Sequence, residues 1–132
     1  MRDWNQPCVV IDVDQTLCPL RSSETAYDDL IPYPDVVGQL QEYRDAGWYI
    51  IIHTGRQMRT HECNQGRINA KTLPALVKWL DRWDIPYDEI WPNKPWAGFN
   101  GVYVDDHTIT PKDFTTLTWE QIQSKVAQQQ RR

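Results

Sequence analysis

The chain has 132 residues, 40% hydrophobic and 24% charged, which suits one globular domain that buries a core without disulfide or metal staples. Fourteen Lys and Arg against eighteen Asp and Glu leave a formal charge of -4, which excludes the broad basic surface of a dedicated nucleic-acid binder, though not a small basic pocket. Cys8, Cys18 and Cys63 are odd in number and lack C-x-x-C spacing, there is no signal-peptide pattern, and no stretch nears the roughly 20 apolar residues of a membrane span; a cytoplasmic, disulfide-free protein is expected.

The first element is the apolar run Cys8-Val9-Val10-Ile11, which predicts a buried strand of a parallel sheet. Asp12 and Asp14 follow it, and alternation along an extended chain puts both on the same side. Two converging carboxylates repel, so they call for a cation or a protonated partner. Residues 19–34 read as irregular, with Pro32 and Pro34 blocking an early helix. Pro34 then suits the first turn of a helix carrying Val36, Val37, Leu40 and Tyr43, and Gly47 stops it.

A second buried strand is expected over 48–53, running into Thr54-Gly55-Arg56, and a polar loop over 57–69. Leu73, Leu76, Val77 and Leu80 mark a second helix that closes before Ile85-Pro86. Residues 87–91 predict a third strand, and 101–104 a fourth that ends at Asp105-Asp106. Thr118 with Gln121 has the form of a capping box for a last helix carrying Ile122 and Val126, and the Gln/Arg tail frays.

The order β-α-β-α-β-β-α implies an α/β fold: a single Rossmann-like domain over 1–132, with a mostly parallel sheet and helices on both faces. Each polar cluster (Asp12/Asp14, Thr54, Lys94, Asp105/Asp106) falls at or just past a strand end. In an open α/β sheet such ends lie along one edge, so the clusters are expected to meet in one crevice.

That crevice would suit phosphoryl chemistry. Mg²⁺ takes one or two carboxylates together with waters and a substrate phosphate, for which Asp12, Asp14, Asp105 and Asp106 are the candidates. Thr54 and the amides of Gly55 and Arg56 offer hydrogen bonds to phosphate oxygens, and Lys94 offers a point charge. One aspartate could attack phosphorus while the other protonates the leaving oxygen and later activates water.

The ordered segments D-V-D-Q-T-L, I-I-I-H-T-G-R, N-K-P-W and V-Y-V-D-D-H resemble the four motifs of haloacid dehalogenase (HAD) superfamily phosphatases, over nearly the whole chain. The text around Ile31-Pro32-Tyr33-Pro34, Ile85-Pro86-Tyr87 and Lys94-Pro95-Trp96 is similar to small phosphatases of capsular-polysaccharide biosynthesis. The resemblance implies an Mg²⁺-dependent phosphomonoesterase that works through an aspartyl-phosphate, on a small phosphorylated substrate such as a sugar phosphate. It implies Asp12 as nucleophile, Asp14 as acid/base whose carbonyl also faces the metal, Thr54 as the phosphate-binding hydroxyl and Lys94 as the cation joining nucleophile to phosphoryl group. Asp105 is implied as a direct Mg²⁺ ligand, and Asp106 as a water-mediated one that also pairs with Lys94. Gln15 departs from the pattern, standing where many members have Gly, which bears on how the loop after Asp14 turns. Neither 19–33 nor 57–93 is long enough for a cap domain, so a capless member is implied, its site open to a large substrate or covered by a second subunit in a homo-oligomer.

Two other functions fit parts of the pattern. A polynucleotide 3′-phosphatase keeps the chemistry, but the acidic balance and the lack of a Lys/Arg stripe speak against nucleic acid. A receiver-like module that only holds Mg²⁺ and a phosphoryl group would have no use for Asp14 as an acid/base. Arg56 is a candidate for reaching a substrate phosphate or sugar acid, the alternative being a salt bridge at the strand end. His61, Cys63 and Cys18 match no zinc spacing. Trp91 and Trp96 flank Lys94 and could stack on a substrate, while Trp79 and Trp83 pack against the sheet or a partner.

Overall fold

In the computed structural model, which describes residues 2–131, the two apolar runs lie side by side. Strand β1 (Cys8–Ile11) pairs in parallel with β2 (Tyr49–His53), Val10 opposite Ile51, and β2 pairs in parallel with β3 (Glu89–Trp91), Ile52 opposite Ile90. The sheet has three strands in the order β1-β2-β3. One face, with Ile11, Ile50 and Ile52, is sealed, whereas Val10 and Trp91 on the other stay exposed. Ile51, on the same face as Val10, is nevertheless buried, so β2 reads as a continuous apolar run rather than an alternating one.

Between β1 and β2 runs helix α1 (Pro34–Asp45), opened by Pro34 and burying Val36, Leu40 and Tyr43. Gly47, at φ +91°, turns the chain out of it in a conformation that other residues avoid. Between β2 and β3 the expected loop over 57–69 is shorter than predicted. Its end is already helical: α2 (Gln65–Arg67) and a π-type turn (Ile68–Thr72) lead straight into α3 (Leu73–Arg82). Asn64 starts this run early by accepting the Arg67 N–H at 3.1 Å, a capping role that the polar composition hides. Leu76, Trp79 and Leu80 form the buried stripe of α3.

Residues 19–33 are irregular apart from a 3₁₀ turn (Tyr27–Asp29), and long-range bonds hold them. Trp79 Nε1 donates to the Leu30 carbonyl at 2.7 Å and Arg82 to that of Asp28 at 3.0 Å. The third strand begins two residues later than predicted, because Asp88 binds β2 with its side chain: Oδ2 accepts the Ile50 N–H at 2.8 Å and Oδ1 holds Arg44 at 3.0 Å.

The described residues divide into two units between Trp96 and Ala97. The second holds α4 (Pro111–Thr116) and α5 (Trp119–Gln129), burying Phe114 and Ile122. The predicted capping box is present, Thr118 Oγ1 accepting from Gln121 N at 3.2 Å and Gln121 Oε1 from Thr118 N at 2.9 Å. The fourth strand expected over 101–104 does not form. Val102 is 79% and Val104 94% exposed, and among the described residues of the unit no strand forms that could complete a ladder with them.

The expected α/β class with a parallel sheet is therefore what the chain adopts. Neither 19–33 nor 57–93 forms a separate unit of its own. All three cysteines are free, and among the described residues no helix is long and apolar enough to cross a membrane.

Candidate active site

The carboxyl ends of β1 and β2, with the turn after β3, carry the polar groups of the first unit. Asp12 follows β1 directly. Its Oδ1 lies 3.6 Å from Lys94 Nζ, and its Oδ2 faces Thr16 Oγ1 at 3.4 Å. Burial pushes the Asp12 carboxyl above its ordinary pKa, and nearby Lys94 only partly offsets this. The side chain keeps 30% exposure, so the group is destabilised as an anion yet reachable from solvent.

The chain then turns sharply. The amides of Thr16, Leu17 and Cys18 all point at the Val13 carbonyl, and Gln15 N donates to Cys18 O at 2.7 Å. Gln15 sits at φ +64°, the left-handed region that glycine occupies without strain, so the turn keeps a backbone conformation that favours Gly although Gln stands there. Cys18 is fully buried behind the turn, its thiol pushed up to about 12 by burial and by the Asp14 charge, so it is inert packing.

Thr54 ends β2. Its amide donates to Trp91 O at 3.0 Å, and its Oγ1 accepts from Arg56 N at 3.0 Å, which leaves the hydroxyl proton to donate elsewhere. The Thr54 carbonyl accepts the Lys94 N–H at 3.1 Å, joining the loop after β3 to the loop after β2. A Cβ at Gly55 would stand 2.9 Å from the Lys94 carbonyl, so this approach requires glycine. His53, just before, is held toward its neutral form by burial and by Lys94.

For Arg56 the sequence left a substrate contact and a strand-end salt bridge open, and the side chain makes the salt bridge: it is 3% exposed and turned onto Asp14. Nε meets Asp14 Oδ2 at 3.2 Å and Nη2 meets Oδ1 at 2.8 Å.

Asp105 and Asp106 belong to the second unit, in the turn before α4. Asp105 Oδ1 accepts the His107 N–H at 2.9 Å, and Gln129 at the end of α5 donates to the Asp106 carbonyl at 3.2 Å.

A structural-genomics protein from Vibrio cholerae, known from its crystal structure, is 39% identical to this chain; the match covers 95% of this chain and all of that one, with a TM-score of 0.89. The chain belongs to the family of that protein. A chain of the Pnkp1/Rnl/Hen1 complex is 20% identical, with a TM-score of 0.46, over 87% of this chain and 36% of that one. No family model and no curated protein matches.

In this family member the first unit thus brings together Asp12, Asp14, Thr54, Gly55, Arg56 and Lys94. Among the described residues no three His, Cys, Asp or Glu side chains gather into an all-protein metal cage. The oxygen donors after β1 fit a cation that needs no such cage: Mg²⁺ completes its shell from one or two carboxylates, water and substrate phosphate. Sequence reasoning missed Tyr27 and Trp79, whose rings lie 4.3 and 5.9 Å from the Arg56 guanidinium carbon. Nothing local signals either one, since both contacts depend on distant segments folding together. Trp91 and Trp96 remain about half exposed near Lys94.

Proposed function

We propose that this protein is a capless HAD-type phosphatase, an Mg²⁺-dependent phosphomonoester hydrolase acting through an aspartyl-phosphate on a small phosphorylated metabolite such as a sugar phosphate of polysaccharide synthesis. The observation that carries the reading is the 3.6 Å approach of Lys94 to Asp12, beside a Thr54 hydroxyl free to donate. An anionic nucleophile and an anionic phosphate repel, and a cation anchored to both strand ends offsets that repulsion where it is greatest.

In this mechanism an Asp12 carboxylate oxygen attacks phosphorus, the ester P–O bond breaks, and Asp14 gives its proton to the departing oxygen. Asp14 then takes a proton from water as that water attacks phosphorus, releasing inorganic phosphate and restoring Asp12. The Thr54 hydroxyl, the Gly55 amide and Lys94 hold the phosphoryl oxygens throughout. Asp12 and the Asp14 carbonyl would hold Mg²⁺, which would supply charge neutralisation for the phosphoryl transfer.

Asp14 is what separates this reading from a module that only stores a phosphoryl group, because an acid/base next to the nucleophile serves turnover. An open site suits either a large leaving group or coverage by a second copy of the chain, and the weak acidity of the surface fits a metabolite better than nucleic acid. A panel of phosphorylated sugars, nucleotides, oligonucleotide ends and small acids, assayed with Mg²⁺ and with chelator, tests the proposal. Mg²⁺-dependent release of phosphate from a small metabolite is the expected result. Turnover of oligonucleotide ends alone, or of nothing, overturns it.

A further inference from the structure

We infer that Arg56 is a positioning residue for Asp14, fixing the acid/base carboxylate in one orientation instead of contacting substrate; the inference deepens the hydrolase reading and rests on it. Three observations converge. Each Asp14 oxygen receives its own guanidinium N–H, at 3.2 and 2.8 Å, a fork-on-fork pairing that restricts rotation of the carboxylate. The guanidinium is held in turn: its carbon lies 4.3 Å from the Tyr27 ring centre and 5.9 Å from that of Trp79, and Nη2 is 3.8 Å from Cys18 Sγ. At 3% exposure the Arg56 side chain has little surface to offer a phosphate, whereas Asp14 keeps 20%.

Stability alone is a weak reason for this arrangement. A buried ion pair roughly breaks even against apolar residues of the same volume, because desolvation consumes the Coulomb gain. Precise orientation is a sufficient reason, since a misplaced proton donor costs rate without costing affinity. Both ends of the pair are anchored for that purpose. The Arg56 amide is fixed to Thr54 Oγ1 at 3.0 Å, and the Asp14 backbone is held by its bridge to Cys18. The phosphate-binding threonine and the acid/base are thereby tied through a single residue.

The test compares two esters in Arg56→Lys, which keeps the charge but loses the fork. An alkyl phosphate needs its leaving oxygen protonated; p-nitrophenyl phosphate scarcely does. With the fold intact by circular dichroism, kcat/KM for the alkyl ester is expected to fall at least about tenfold further than for the nitrophenyl ester, with KM for both nearly unchanged. Should Arg56→Lys fail to fold, Tyr27→Leu removes the stacking ring from outside the pair and is expected to show the same ordering with a smaller gap. Equal losses on both esters, or a loss confined to KM, overturn the inference and leave the hydrolase reading standing. Wild-type inactivity on both esters sinks the hydrolase reading, and this inference with it.

Discussion

The carbonyl oxygen of Lys94 lies 2.9 Å from where a Cβ on residue 55 would stand, so Gly55 is what lets the lysine loop close over the end of β2. The close approach is between backbone atoms, and no side-chain rotation relieves it. Gly55→Ala is therefore expected to push the 94 loop outward and carry the lysine away from Asp12. A displacement of about 1 Å at a catalytic group costs on the order of a hundredfold in kcat/KM, with thermal stability falling only slightly. Steady-state kinetics beside a thermal melt checks this; wild-type kinetics in Gly55→Ala would show that the lysine is not placed through this contact.

Asp12 carries a cost in folding that follows from its burial. Its pKa is raised above 3.8, so the folded state binds the proton more tightly than the unfolded one. Its contribution to stability is complete below that value and is lost as pH rises through the folded pKa. Asp12→Asn, which has no charge to bury, is expected to melt higher than wild type at neutral pH. The gap should close toward pH 4. Melts across that range read the difference directly, and an Asn variant less stable at every pH would contradict it.

Asp88 titrates in the opposite sense. Burial raises its pKa, but Arg44 and the Ile50 N–H outweigh burial and hold the carboxyl below its usual value of 3.8. Its stabilisation is present above that value and lost as pH falls through the lowered one. With both side chains partly exposed, solvent screens the ion pair with Arg44, and together with the bond to the Ile50 N–H its loss in Asp88→Ala is expected to cost about 1–2 kcal/mol at neutral pH. Denaturant titrations should show that penalty shrinking in strong acid.

Gln15 at φ +64° is exposed and strained. Gly there removes a left-handed penalty of about 1–2 kcal/mol while adding less than about 1 kcal/mol of unfolded-state entropy. Gln15→Gly is expected to leave hydrolysis unchanged and stability equal or slightly higher. A clear loss of stability would mean the Gln side chain makes a contact that offsets its backbone strain.

Much of this molecule was legible from local pattern. The apolar runs of β1 and β2, the Pro34 start and Gly47 stop of α1, and the Thr118–Gln121 box each depend on neighbours in sequence, and each is present. The meeting of Asp12, Asp14, Thr54 and Lys94 follows from where parallel strands end. Residues 101–104 show the limit: β-branched residues favour an extended chain, but a strand exists only where another completes its hydrogen bonds. Arg56 shows a second. Its charge was visible, but its direction is set by Tyr27 and Trp79, 29 and 23 residues away in sequence.

Asp12 is expected to carry the phosphoryl group covalently during turnover. Borohydride reduction of protein quenched during turnover of a phosphate ester converts an acyl phosphate to the alcohol, and peptide mass spectrometry locates it. Reduction at Asp12 is expected, dependent on substrate and Mg²⁺ and absent, along with hydrolysis, in Asp12→Asn. Undiminished hydrolysis by Asp12→Asn, with no residue reduced in the wild type, would contradict it.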